Sequence, residues 1–288
     1  MAVPELITYV IAFFALLIAS LTDIKTREVP DSLNFGLIAV GIGINLLFSA
    51  VYRDLSYIIQ SLIGLFLFMA ISYGMYYAGQ WGGGDSKLLI GLGALFGIDA
   101  SIGTFMMSFL IILLVVGAVY GIAWSIVLGI KNRKALGLEI KKIRGGKNFA
   151  YIWVGAFILI IVSVIAVFLT KDIFFFILPL SVAVTMPLWM LAKAVEECCM
   201  KKMVNPEQLT EGDWIAKDVV VNGKLICGPK DLGIKKNQIK ALIKLKGRGK
   251  VDRILIKEGI PFVPSFLIAF IVALLFKEQI LAIVKTFI

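Results

Sequence analysis

The 288-residue sequence contains no histidine. That absence removes imidazole proton transfer, Ser/His and Cys/His catalytic pairs and the commonest zinc ligand, so acid–base chemistry falls to carboxylates, lysine, tyrosine or cysteine. Cysteine is scarce as well. Cys198, Cys199 and Cys227 show no CxxC spacing, and an odd count that includes a vicinal pair points to reduced thiols instead of a disulfide framework or a zinc ribbon. Charge is thin, with 17% Asp, Glu, Lys and Arg against 60% hydrophobic residues and a mean hydropathy of +0.95. Soluble globular domains are not composed this way; polytopic membrane proteins are. Lys and Arg outnumber Asp and Glu 29 to 19, a net charge of +10, which positive-inside bias explains without a nucleic-acid partner.

At about 20 apolar residues per crossing, the sequence predicts helices over 4–21, 33–51, 55–78, 86–98, 102–130, 149–169, 174–191 and 261–284. The expected fold is therefore an all-α polytopic membrane protein of about eight transmembrane helices (six to eight), with a small α+β cytoplasmic domain before the last helix. The fourth span is short: about 13 residues cover about 20 Å of a core about 30 Å thick, so it borrows residues from the glycine turn before it or sits in a thinned, water-lined place. The first segment lacks a basic n-region and a small-residue cleavage site, so it reads as a span and not as a signal peptide.

Three regions follow: 1–191 as a transmembrane bundle, 192–258 as the cytoplasmic domain, and 259–288 as a C-terminal transmembrane helix. Within the second, Trp214 to Val221, Asn222-Gly223 and Lys224 to Cys227 read as a hairpin with an Asn-Gly turn. Lys235 to Lys246 reads as a short amphipathic helix and Arg253 to Lys257 as one more strand. The lysines of this domain suit a solvated face near anionic lipid.

Lys131, Arg133, Lys134, Lys141, Lys142, Arg144 and Lys147 crowd one loop, which places it in the cytoplasm. Counting crossings back puts Asp23, at the end of the first span, and Asp85, at the start of the fourth, on that same side. Asp54 and Asp99 fall on the other.

Asp85 follows three glycines, Gly82, Gly83 and Gly84, between apolar segments. An ionisable residue at a membrane helix terminus is costly to desolvate, and glycines let another backbone approach it. Two facing carboxylates sharing a proton let one act as base on water while the other donates to a carbonyl. The residues alone leave a second reading open, in which Asp23 and Asp85 are interfacial acids at helix ends, Asp85 favoured by the helix dipole. Lys87 either steadies the pair or anchors a helix at the interface; Asp31 either assists or caps the second span. Trp81 and Tyr76 fit an interfacial aromatic belt.

Gly82 to Asp85 matches the GxGD signature of intramembrane aspartyl proteases, and Asp23 with Val29, Pro30 and Asp31 resembles the first-aspartate motif of type IV prepilin peptidases. Ser86 to Leu92 continues the likeness, which covers mainly 20–97. The archaeal preflagellin and prepilin peptidases are the better match, sharing the start at the first span, a small cytoplasmic domain before the last span, and the Ile260 to Pro264 opening of that span. The spans from 149 to 191 are additional to the simplest members.

The resemblance implies a membrane-embedded aspartic endopeptidase with catalytic Asp23 and Asp85, supported by Gly82, Gly84 and Lys87. It would remove the short charged leader of prepilin- or preflagellin-like precursors at the cytoplasmic face of the cell membrane, with the lipid bilayer and those precursors as partners. No metal or organic cofactor is implied. The bacterial enzymes pair a cysteine-rich segment with N-methyl transfer; without a CxxC pair, neither methylation nor a SAM cofactor is expected here. Two readings from other classes stand beside this one: a proton-coupled membrane transporter, and a non-catalytic membrane scaffold.

Overall fold

The computed structural model describes residues 3–98 and 105–287. Asp99 and the predicted start of the fifth span at Ile102 lie outside them. The chain is a polytopic helical membrane protein with a small sheet region near its C-terminal end. Among the described residues, five helices are long and apolar enough to cross a membrane: α1 (Val3–Thr26), α2 (Asp31–Tyr52), α3 (Ser56–Tyr77), α5 (Phe105–Lys131) and the 149–170 stretch of α7 (Lys147–Thr170). The other predicted spans are also helical, as α4 (Gly83–Phe96), α8 (Ile177–Val195) and α10 (Val263–Phe287), the last of which leaves helical geometry at Phe276.

The chain divides into two compact units, one of residues 1–121 with 259–288 and one of residues 122–258. In the first, α1 turns a single stripe of Ala12, Ala15, Leu16, Ala19, Ser20 and Asp23 inward. These positions recur at three- and four-residue steps, so Asp23 shares a face with three alanines. Lipid offers no hydrophobic gain for burying Leu against Leu, and small residues let helices pack closely instead. The matching face of α10 presents Val263, Phe266, Ala269, Phe270 and Ala273, and both enter a core with Leu88, Leu92, Phe105 and Phe109.

Helix α4, of 14 residues, has most of its length buried. Glycines set its neighbours: a Cβ on Gly64 of α3 would stand 2.2 Å from the carbonyl oxygen of Gly93, and one on Gly41 of α2 would stand 2.7 Å from the backbone nitrogen of Leu95. Its last carbonyls are met by side chains from those same helices. Asn45 Nδ2 donates to Ala94 and Leu95 at 3.3 and 3.0 Å, Ser61 Oγ donates to Ala94 at 2.6 Å, and the Ile98 amide donates to Gln60. The short span thus ends inside the bundle because polar residues on α2 and α3 replace the carbonyl partners that a longer helix would supply. At its other end α4 takes Gly83 and Gly84 from the glycine turn as its first residues, which lengthens the span beyond the predicted 86–98 start.

In the second unit, the basic segment read as a loop is helical. It forms α6 (Arg133–Gly145), a helix without buried residues; Ala, Leu, Glu and Lys dominate it and no proline interrupts it. After α8 come β1 (Lys201–Val204), β2 (Trp214–Ile215), β3 (Val219–Val221), β4 (Lys224–Cys227), α9 (Lys236–Lys246) and β5 (Ile254–Lys257). The antiparallel order is β1-β5-β2, and β3 pairs with β4 across Asn222 and Gly223, both at positive φ as such a turn requires. The hairpin is shorter than the sequence suggests, since Trp214 and Ile215 pair with β5 instead. Leu209, Ile215, Cys227, Ile234, Leu242, Ile254 and Ile256 form the core beneath.

Candidate active site

Two turns of the first unit build the site. Helix α1 ends when Arg27 adopts a left-handed conformation, its amide still bonded to the Asp23 carbonyl, and Val29-Pro30 then feeds α2. Helix α3 ends at Tyr77, and Gly79, at φ 68°, swings the chain toward Trp81 and Gly82. The turns touch: a Cβ on Gly84 would lie 3.2 Å from Cβ of Val29. Glycine at that position is what lets the two connections meet.

Asp85 is the third residue of α4, where the free amides and the helix dipole favour a carboxylate. Its Oδ2 accepts the Gly82 backbone N–H at 2.9 Å. Asp23 is 5% exposed, and its Oδ2 accepts the backbone N–H of Val263 at 2.9 Å, at the first residue of α10. Each acid therefore keeps one oxygen fixed by a main-chain donor. Asp85 lies within the electrostatic reach of Asp23. Arg27 acts on Asp23 by its charge and donates to the Gly259 carbonyl at 3.1 Å. Tyr120, on α5, stands in the field of both Asp23 and Arg27.

Of the residues singled out from sequence, Asp23, Asp85, Gly82 and Gly84 come together. Lys87 turns elsewhere: its Nζ meets Asp31 Oδ1 at 2.5 Å and stands 5.3 Å from the centre of the Phe35 ring. Asp31 opens α2 without capping it through its side chain. Trp81 is no interfacial aromatic; it is 5% exposed and packs on Phe266 with ring centres 5.9 Å apart.

Sequence reasoning passed over Val263, Arg27, Tyr120 and Asn34. Asn34 is fully buried, its Nδ2 lies 3.5 Å from the Gly84 carbonyl oxygen, and its Oδ1 has no partner among the described residues. A signal for it existed, because Asn34, Leu37, Gly41, Asn45 and Phe48 recur at helical spacing on the buried face of α2. Val263 was noted only within the Ile260 to Pro264 opening; the role of its amide left no mark, since any residue but proline carries one.

Asp23 and Asp85 thus lie on separate helices, each with one carboxyl oxygen bonded to a backbone amide. Residues 10–122 match the type IV leader peptidase family, the family resembled by the Asp23 and glycine–aspartate motifs. Over 90 residues the chain is 37% identical to a preflagellin peptidase of Methanocaldococcus jannaschii, covering 31% of this chain and 38% of that one. It is 38% identical to a preflagellin peptidase of Methanococcus maripaludis, covering 31% and 39%, and 37% identical to one of Methanococcus voltae, covering 31% and 38%. The matched stretch thus spans well under half the length of these curated relatives. No solved structure matches the chain.

Proposed function

We propose that the protein is a membrane-embedded aspartic endopeptidase that removes the short charged leader of prepilin- or preflagellin-like precursors. What supports this reading is that Asp85 lies within the electrostatic reach of Asp23, with both acids inside the stretch that matches the leader peptidase family. In the reaction, one carboxylate takes a proton from water as the oxygen attacks the scissile carbonyl, while the other, protonated, donates to the carbonyl oxygen. The intermediate then collapses as a proton passes to the leaving amine. The Gly82 and Val263 amides each hold one oxygen of an acid and so fix how the two carboxyl groups are turned. Gly84 lets the Val29 turn pack against the start of α4, and Lys87, through Asp31, ties the start of α4 to the start of α2.

The basic residues of α6 support a cytoplasmic location for that side of the membrane, and crossings counted back from it bring Asp23 and Asp85 to the same side. Residues 192–258 serve as the cytoplasmic domain in this reading. The test is incubation of the detergent-solubilised protein with a preflagellin-like precursor and mass analysis of the new N-terminus. Cleavage between the leader and the apolar helix is expected. An intact precursor, or cleavage that persists at full rate in Asp85→Asn protein, overturns the proposal.

A further inference from the structure

Within the second unit, a cavity of about 530 Å³ opens between the end of α6, the start of α7 and the end of α8. Ile143, Phe149, Ile152 and Trp189 supply its apolar lining, and Glu139, Lys142, Lys193 and Glu197 its charge. The four charges are not equally satisfied. Glu139 takes Lys142 Nζ at 3.3 Å, and Glu197 takes Lys201 Nζ at 2.6 Å. Lys193 has no carboxylate within ion-pair distance among the described residues, and its Nζ stands 5.2 Å from the centre of the Trp189 ring. The lining therefore holds one cation without a counter-charge above an aromatic floor.

Helix α6 deepens the imbalance. At about 100° per residue, Arg133, Lys134, Lys141 and Arg144 fall on one arc, and Leu136, Ile140 and Ile143 on another. The apolar arc of such a helix seeks protein or hydrocarbon, and its basic arc suits anionic headgroups. Leu136 packs toward α5, against the position where Gly129 lacks a side chain. Helices α7 and α8, which carry the aromatic floor, are the apolar hairpin for which the sequence offered no purpose.

We propose that this cavity is a headgroup site for an anionic phospholipid. The phosphate would sit on Lys193, the cation that Glu139 and Glu197 leave unpaired, and the acyl chains would run over Ile152 and along the exposed apolar surface of α7. A soluble phosphate would leave the Phe149, Ile152 and Trp189 lining wet, whereas a lipid covers the charge and the apolar floor together.

The experiment uses the full-length protein in nanodiscs of phosphatidylcholine mixed with phosphatidylglycerol, transferred to mild detergent for native mass spectrometry of retained lipid. A cation near an anionic headgroup contributes about 1 kcal/mol, so retention of phosphatidylglycerol over phosphatidylcholine should be roughly fivefold or more and fall to near parity in Lys193→Gln protein. Lys240→Gln, on α9, should retain the preference. Thermal midpoints read the same site independently of yield: both forms should melt alike in pure phosphatidylcholine, and only the unaltered protein should gain a full upward shift as phosphatidylglycerol is added. Equal retention of the two lipids, an unchanged preference in Lys193→Gln protein, or release of the lipid by millimolar glycerol phosphate would overturn the assignment.

Discussion

The Oδ2 oxygen of Asp23 accepts a 2.9 Å hydrogen bond from the backbone N–H of Val263, which lies 240 residues further along the chain. Val263 is the first residue of α10, a position where proline fits a helix and its missing N–H harms nothing else. Val263→Pro therefore removes one donor from one acid. A hydrogen bond to a charged group is worth about 1.5–3 kcal/mol, so kcat for precursor cleavage should fall by roughly tenfold or more with KM little changed. A Val263→Pro protein as active as the original would mean that the bond plays no part in the chemistry.

Asp23→Asn keeps an oxygen to accept that same N–H, and Asp85→Asn keeps one for Gly82. Both variants should fold, yet neither retains a proton that can be shared, so cleavage should drop by roughly 10²–10⁴-fold. Asp31→Asn, which loses only the exposed pair with Lys87, should stay within a few-fold of the original. Single-turnover assays on all three, with thermal midpoints alongside, separate chemistry from folding.

Glycines that look alike in sequence differ in the fold. A methyl group on Gly64 would stand 2.2 Å from the Gly93 carbonyl oxygen, backbone against backbone, whereas one on Gly36 meets nothing within 4 Å. Gly64→Ala should cost about 1–3 kcal/mol from overpacking, and Gly36→Ala should be neutral or slightly stabilising. Melting curves in one detergent compare the two directly; equal midpoints would contradict the tight α3–α4 seam.

Asn45 faces three carbonyls, those of Gly41, Ala94 and Leu95, at 2.8, 3.3 and 3.0 Å. Asn45→Leu removes the donor and should cost about 1–2 kcal/mol in this apolar setting. Asn45→Asp at pH 8 keeps the shape but turns an acceptor on all three, and should be the worse of the two. The reverse order of thermal midpoints would show that the amide is not what caps α4.

Burial pushes the Cys227 thiol up to about 11, with the charges of Asp231 and Asp218 acting in the same direction. Because the folded value lies above the unfolded one, the stabilisation is complete below the ordinary thiol range near 9 and is lost as pH rises through 11. Iodoacetamide at pH 8 should spare Cys227 until the sheet unit is denatured, as peptide mapping would report. Prompt labelling of native protein would place the thiol in solvent.

The helices were legible because apolar length is a local property: every predicted span coincides with a helix over most of its described length. The hairpin around Asn222-Gly223, the helix at Lys236–Lys246 and the strand at Ile254–Lys257 were legible for the same reason. Asp23 and Asp85 stood out in the sequence as acids ending one apolar run and beginning another, on one counted side of the membrane. What escaped depends on partners distant in the chain. Charge density disguised α6 as a loop, although its residues favour a helix. The end of α4 is set by Asn45 and Ser61 on other helices, and Trp81 is hidden by Phe266. For Lys87 the sequence left open whether it steadies the acid pair or anchors a helix, and its side chain reaches Asp31.

The span from Asp23 to Val263 also sets an order in time. At about 5–20 residues per second on the ribosome, Asp23 is made on the order of 10–50 s before the amide that holds it. Both acids of the proposed pair can enter the bilayer while their setting is still missing, and the site closes only when the last helix docks against the first. A chain halted before Val263 should thus carry Asp23 and Asp85 in the membrane and cleave nothing, which keeps an unfinished protease from acting on other chains entering beside it.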